Sequence, residues 1–170
     1  KKFREIFLSI MSKKWNFGKM INVENNEKIF EKRCTYLKLI CMDIDGVLTD
    51  GGIYIDNNGN QSIRFDVKDG MAIRLLQKYN FKIAWISGGD REAIIKRAQS
   101  LDIQYVKTKV KNKLLAIKEI QEELNLSKLE TAFLGDDIND LPVIPIVGMF
   151  LTPSDAHYAC KEKACWVGMK

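Results

Sequence analysis

The chain has 170 residues, 46% hydrophobic and 29% charged, enough to bury a substantial core in one domain without disulfide help. No apolar run approaches the roughly 18 residues that a spanning helix needs, and the first residues lack an uninterrupted apolar signal core, which argues against a membrane protein. The formal net charge of +5 comes partly from lysines before residue 36 and between Lys107 and Lys113; without alternation of basic and aromatic residues it suits an anionic small substrate better than nucleic acid.

In chain order, Phe3, Ile6, Phe7, Ile10 and Met11 stand at helical spacing with basic residues between them. They predict a short amphipathic helix over residues 1–14, used for core packing or a subunit contact rather than a membrane surface. Trp15 to Asn26 reads as a linker and Glu27 to Arg33 as a helical turn. The run Leu39-Ile40-Cys41-Met42 then predicts the central strand of a parallel sheet covered on both faces. Ile53 to Phe65 predicts a β-hairpin, because Ile53 and Ile55, then Ile63 and Phe65, alternate with polar residues around Asp56-Asn57-Asn58-Gly59.

Helices and strands alternate from there: a helix over Gly70–Tyr79, a strand over Lys82–Ile86, a helix over Arg91–Leu101 and a short strand over Ile103–Val106. Leu114, Ile117, Ile120 and Leu124 form one face of a third helix, followed by a strand over Thr131–Leu134. Pro142 and Pro145 interrupt the next helix. A strand over Met149–Leu151, a helix over Ala156–Glu162 and a last strand over Ala164–Val167 complete the pattern. Strands alternating with helices imply an α/β fold with a doubly wound parallel sheet. Cys34, Cys41, Cys160 and Cys165 are scattered without metal-type spacing, as expected of reduced thiols in a cytoplasmic protein.

The chemistry concentrates at the carboxyl ends of these strands, where open α/β sheets bind ligands. Asp43 and Asp45 follow the buried strand directly, and carboxylates there need a cation or hydrogen bonds to stay charged. An EF-hand loop does not account for them, since Gly46 and Val47 replace the alternating oxygen ligands that calcium requires. Ser87-Gly88-Gly89 joins a strand to a helix, offering a hydroxyl and backbone N–H groups to an anion, although glycine turns of this kind also occur without one. Lys113 taken alone reads as a solvated lysine, and Gly135-Asp136-Asp137-Ile138-Asn139-Asp140 taken alone reads as acidic helix capping. Two acidic strand ends in one parallel sheet together point to a shared cation.

In this order the motifs Asp43-Ile44-Asp45-Gly46-Val47, Ser87-Gly88, Lys113 and Gly135-Asp136-Asp137 with Asp140 resemble the haloacid dehalogenase superfamily of phosphohydrolases. The longer stretch Asp43 to Gly52, with its hairpin and Asp69-Gly70, resembles the small capless subgroup acting on phosphorylated sugar acids. The resemblance covers about Leu37 to Lys170. It implies a phosphatase domain over residues 37–170, with helices on both faces of the sheet, a protruding hairpin and no large cap, preceded by an extension over residues 1–36.

The resemblance further implies that Asp43 is the nucleophile and that Asp45 protonates the leaving oxygen and then deprotonates water. Magnesium would be held by the carboxylates of Asp43 and Asp136 and the backbone carbonyl of Asp45. Ser87 and Gly88 would hold phosphoryl oxygens and Lys113 would neutralise charge, with Asp137 orienting the lysine or a metal-bound water and Asp140 standing behind the ligands. Thr49 joins the substrate-binding set, and Arg64 and Lys68, at the hairpin's end, are the nearest cations for a distal carboxylate. The implied substrate is a phosphorylated 2-keto sugar acid, with 3-deoxy-D-manno-octulosonate 8-phosphate ahead of an acylneuraminate-type 9-phosphate. A homotetramer with the hairpin between subunits is implied as well.

Two departures stand out. Where the family often has Thr-Gly-Arg this chain has Ser87-Gly88-Gly89, leaving Arg91 as the nearby arginine, and the Gly-rich, arginine-containing segment that follows the last strand in the family does not occur before Lys170. A phosphatase-like binding or regulatory module attached to a nucleotidyltransferase is the competing class, and the presence of both Asp43 and Asp45 favours catalysis. A phosphomutase is disfavoured because no insertion is large enough for a shielding cap.

Overall fold

The computed structural model describes residues 23–168; the helix expected over residues 1–14 lies outside them. Val23–Cys34 forms a three-turn helix, α1, so the segment read as linker is already helical from Val23 and the single turn expected at Glu27 is the middle of that helix. Phe30 of α1 and Leu37 after it are buried in the same cluster as the sheet, which carries the core back across residue 36.

All four residues of β1, Leu39–Met42, are buried, as a continuous apolar run in the middle of a two-faced sheet must be. Strands β4 (Lys82–Ile86), β5 (Tyr105–Lys107), β6 (Thr131–Leu134), β7 (Met149–Thr152) and β8 (Trp166–Val167) complete a six-stranded sheet in the order β5-β4-β1-β6-β7-β8. Every pairing is parallel; Met42 lies opposite Trp85 on one side and Leu134 on the other. The strand order reverses direction at β1, which makes its carboxyl end the topological switch point where such sheets bind ligands.

Side-chain alternation divides the core into two layers. Ile40, Met42, Ile83, Trp85 and Leu134 face α1, α2 (Val67–Lys78) and α3 (Glu92–Ser100), burying Ile73, Leu76, Ile94 and Ala98. Leu39, Cys41, Ala84, Ile86 and Phe133 face α4 (Lys113–Glu123) and α5 (Tyr158–Lys163). Caps set the helix starts. Asp66 Oδ1 accepts from the Lys68 N–H at 2.7 Å, so α2 begins three residues before the expected Gly70, and the His157 ring nitrogen Nδ1 accepts from the Ala159 N–H, so α5 begins at Tyr158. The strand expected from Ile103 begins at Tyr105, because the Ile103 N–H is tied back to the Ala98 carbonyl of α3. Pro142 and Pro145 lie inside a 3-10 run over Ile138–Ile146, where an α-helix was expected to be interrupted.

The hairpin forms a separate two-stranded sheet outside these layers. β2 (Tyr54–Ile55) and β3 (Gln61–Ser62) pair antiparallel, and Asp56 Oδ1 closes the turn by accepting from the N–H groups of Asn58 and Asn60, both at 2.8 Å. Its base is held where Phe65 stacks on Trp85, ring centroids 6.0 Å apart. No large cap covers the carboxyl edge of the sheet among the described residues.

Phe133 is fully buried in β6 and stacks on Phe150 of β7. Phe133→Ala is expected to cost about 3–5 kcal/mol by leaving a cavity between the two strands. Chemical denaturation checks this: the midpoint should fall while the slope holds.

Candidate active site

Asp43 and Asp136 each continue a buried strand by one or two residues, so the backbone of β1 and β6 delivers both carboxylates to one point. The Asp43 N–H extends the ladder to the Leu134 carbonyl at 2.9 Å. Thr152 at the end of β7 donates its hydroxyl to the Gly135 carbonyl at 2.6 Å, and the His157 N–H donates to the Asp136 carbonyl at 2.8 Å, fixing the loop after β6. Two glycines permit the approach. A Cβ on Gly46, at φ +81°, would lie 1.9 Å from Asp136 Oδ2, and one on Gly135 would lie 2.6 Å from the Asp140 side chain.

Carboxylate oxygens of Asp43, Asp136 and Asp140 come within 4.8 Å of one another. Lys113, buried at the start of α4, answers them: its Nζ lies 2.9 Å from Asp43 Oδ1 and 2.6 Å from Asp140 Oδ1. Asn112 caps α4 by accepting from the Leu115 N–H, which fixes the point from which the lysine enters. Burial, then the charge of Asp140, pushes Asp43 up to about 6 against the pull of Lys113. Burial, then Asp43 and Asp140, pushes Asp136 up to about 7. For Lys113 burial alone would act downward, but Asp43 and Asp140 outweigh it and hold the ammonium above its usual range.

Asp136 Oδ1 is buried without a hydrogen-bond partner. An orphaned carboxylate oxygen beside a second carboxylate, both destabilised in the charged form, is what a hard divalent cation relieves. The donor set, all oxygen with few carboxylates, fits magnesium.

The remaining residues divide. Asp140 Oδ2 accepts from the Asp136 and Asp137 N–H groups while its Oδ1 meets Lys113, so it shapes the loop and positions the lysine at once. Asp137, expected to orient the lysine or a metal-bound water, accepts from the Ile138 N–H at 2.7 Å and completes a reciprocal capping box with Asp140. The spacing of Asp137 and Asp140 carried the capping signal; the contact of Asp140 with Lys113 had none, because it depends on where α4 lies. Ser87 is buried and its Oγ accepts from the Gly89 N–H at 3.0 Å; α3 begins only at Glu92, so Ser87-Gly88-Gly89 forms a bend before the helix rather than its first turn. The Asp45 side chain turns toward Arg91, whose Nη2 donates to it.

Thr49 holds the turn after β1: its hydroxyl oxygen accepts from the Gly46 and Gly51 N–H groups, both at 3.2 Å. It also lines, with Asp50, Arg64, Asp66 and Asp155, a cleft of about 200 Å³ beside the carboxylates. Arg64 reaches Asp50 at 3.8 Å, while Lys68 lies exposed in the first turn of α2. A larger hollow of about 410 Å³ sits at the opposite, amino end of the strands beside Lys82 and Tyr105, away from every group described here.

A family model for haloacid dehalogenase-like hydrolases matches residues 76–170. The 3-deoxy-D-manno-octulosonate 8-phosphate phosphatase of Salmonella typhi is 36% identical over 131 residues, covering 77% of this chain and 70% of that protein. The crystal structure of the Yersinia pestis enzyme of the same name superposes with a TM-score of 0.79 at 34% identity, covering 81% of this chain and 74% of the other. The Moraxella catarrhalis enzyme, crystallised with a magnesium ion, a phosphate ion and a KDO molecule, gives 0.81 at 25% identity, covering 86% and 83%.

The raised values of Asp43 and Asp136 set a pH dependence. Without a cation, the folded chain keeps protons on these groups up to about 6 and about 7, whereas the unfolded chain releases them near 4. Their contribution to stability therefore falls as pH rises through that window. A cation competes with those protons, so the rise in melting temperature on adding magnesium should be larger at about pH 8 than at about pH 5. A pH-independent rise would place the ion elsewhere.

Proposed function

Because this chain belongs to the haloacid dehalogenase-like hydrolases, we propose that it is a magnesium-dependent phosphatase that hydrolyses 3-deoxy-D-manno-octulosonate 8-phosphate. The observation that carries the reading is the buried Asp43–Lys113–Asp140 contact beside the orphaned oxygen of Asp136, at the switch point of the sheet. A binding module has no need to crowd three carboxylates within 4.8 Å of one another, two of them buried.

Asp43 attacks phosphorus and takes the phosphoryl group as an aspartyl-phosphate, dividing hydrolysis into two displacements. Asp45 protonates the leaving sugar oxygen and then removes a proton from the water that opens the intermediate. Lys113, already on Asp43, stays beside the phosphoryl group in both steps and offsets its charge; Asp140 keeps the lysine there. The Ser87 hydroxyl and the Gly88 N–H hold phosphoryl oxygens. The carboxylates of Asp43 and Asp136 and the carbonyl of Asp45 would hold magnesium, which would supply positive charge between nucleophile and phosphate.

The open carboxyl edge leaves substrate choice to the cleft and the hairpin. Arg64 is our candidate for the sugar carboxylate within the cleft, with Lys68 on the neighbouring turn; Thr49 reaches the same space. The hairpin exposes Ile53, Tyr54 and Ile55, and Val67 and Met71 of α2 are exposed as well. We place these surfaces between subunits of a homotetramer, since a two-stranded hairpin is marginal in water alone. A cytoplasmic setting is supported by Cys34, Cys41, Cys160 and Cys165, all free thiols; among the described residues no helix is long and apolar enough to cross a membrane.

Phosphate release from 3-deoxy-D-manno-octulosonate 8-phosphate, an acylneuraminate 9-phosphate and a neutral sugar phosphate, each with magnesium, tests the assignment. The octulosonate ester should have the highest kcat/KM. Equal values for acidic and neutral sugars would defeat the sugar-acid reading and spare the mechanism. Asp43→Asn should lower turnover by roughly three orders of magnitude or more with the fold retained, and parent-like turnover would remove Asp43 as nucleophile. Light scattering checks the assembly, for which a monomer at micromolar concentration is the contrary result.

A further inference from the structure

Arg91 occupies a position that local rules disfavour. It is the N-cap residue of α3, where Ser, Thr, Asp or Asn would accept a hydrogen bond, and its side chain makes none to the helix; a positive charge at that end also opposes the helix dipole. The side chain folds back over the sheet edge, only 11% exposed, with Nη2 donating to Asp45 Oδ2. Its Nε–H is buried with no acceptor. The guanidinium therefore sits among Asp45, Ser87 and Gly89 with donors to spare.

Gly89 explains how it reaches there. Its φ is not in the left-handed region, so the backbone does not demand glycine. The space does: a Cβ on Gly89 would lie 3.1 Å from Arg91 Nη2, 3.5 Å from its Cζ and 3.4 Å from Ser87 Oγ. A side chain at position 89 and the guanidinium of Arg91 compete for one volume, next to the serine assigned to the phosphoryl group.

We propose that Arg91 is a specificity-determining residue that binds an oxyanion of the substrate, and that Asp45 holds it in place until the substrate arrives. This rests on the phosphatase reading above. Asp45 must reach the leaving oxygen during turnover while its Oδ2 is engaged by the guanidinium, and an incoming oxyanion offers Arg91 a second partner that the fork of donors can grip at two points. The substrate has two such groups, the phosphoryl oxygens and the sugar carboxylate.

Calorimetric titration of inorganic phosphate, and separately of 3-deoxy-D-manno-octulosonate, onto the magnesium-loaded protein tests the proposal without relying on turnover. Arg91→Ala should raise the Kd of at least one ligand about tenfold or more: phosphate if the guanidinium holds the phosphoryl group, the sugar acid if it holds the carboxylate. Arg91→Lys, which keeps the charge without the fork, should fall between parent and Arg91→Ala, and also keeps the test open if the alanine variant fails to fold. Gly89→Ala should weaken the same ligand in the parent and add nothing in the Arg91→Ala background. KM for the octulosonate ester should follow the affected Kd. Both Kd values within about twofold of the parent in Arg91→Ala and Arg91→Lys would overturn the proposal, and a fall in kcat alone would reduce Arg91 to a prop for Asp45. A parent that binds these ligands through Arg91 but releases no phosphate would instead defeat the phosphatase reading.

Discussion

Three carboxylates crowd beside one lysine at the carboxyl edge of the sheet, and most of what surrounds them follows from the repulsion this creates. With oxygens of Asp43, Asp136 and Asp140 inside 4.8 Å, each unscreened pair costs roughly 3–4 kcal/mol at an effective dielectric near 20. Lys113 offsets part of this by touching two of the three. The third, Asp136, is left with a bare oxygen and the greatest need of a cation. A fold optimised for stability alone would not retain such a cluster; the site holds charge in readiness for a partner that carries the opposite sign.

The scaffold that enforces this closeness is rigid and distributed. Neighbouring strands β1 and β6 fix the two acids, α4 delivers the lysine through its Asn112 cap, and the Thr152 and His157 contacts hold the loop from behind. A Cβ at Gly46 or Gly135 would collide with the side chain of Asp136 or Asp140, and glycine at both positions avoids this. None of these parts is chemical in itself. Together they make the geometry of the cluster a property of the sheet rather than of any one loop.

This division explains which parts of the fold are legible in the sequence. Apolar runs mark β1, β4 and β6 to within a residue because burial on two faces favours apolar side chains, the buried Thr131 being satisfied by Gln121. The Asp56 turn marked the hairpin because its hydrogen bonds are local. Helix starts were less legible: Asp66 and His157 cap through side chains whose alternatives are equally polar. Spacing does not separate the roles of Asp137 and Asp140, since either can cap or reach inward, and the position of Lys113 on a distant helix decides between them. Arg91 was visible merely as an arginine near a glycine, because its fold-back depends on volume left free beside Gly89.

The strand order also bears on how the chain acquires its shape. β1 is made early, yet its two neighbours are β4 and β6, and the second of these follows two further helices in the chain. Until β6 is present, one side of a wholly apolar strand has no partner and the acids have not met. Pairing over such sequence separations closes slowly, and an unpaired apolar edge invites association with other chains. During synthesis, then, the first half of the molecule is a hazard that the second half cures, and any slowing of translation between β4 and β6 should show itself as aggregation rather than as a poorly active enzyme.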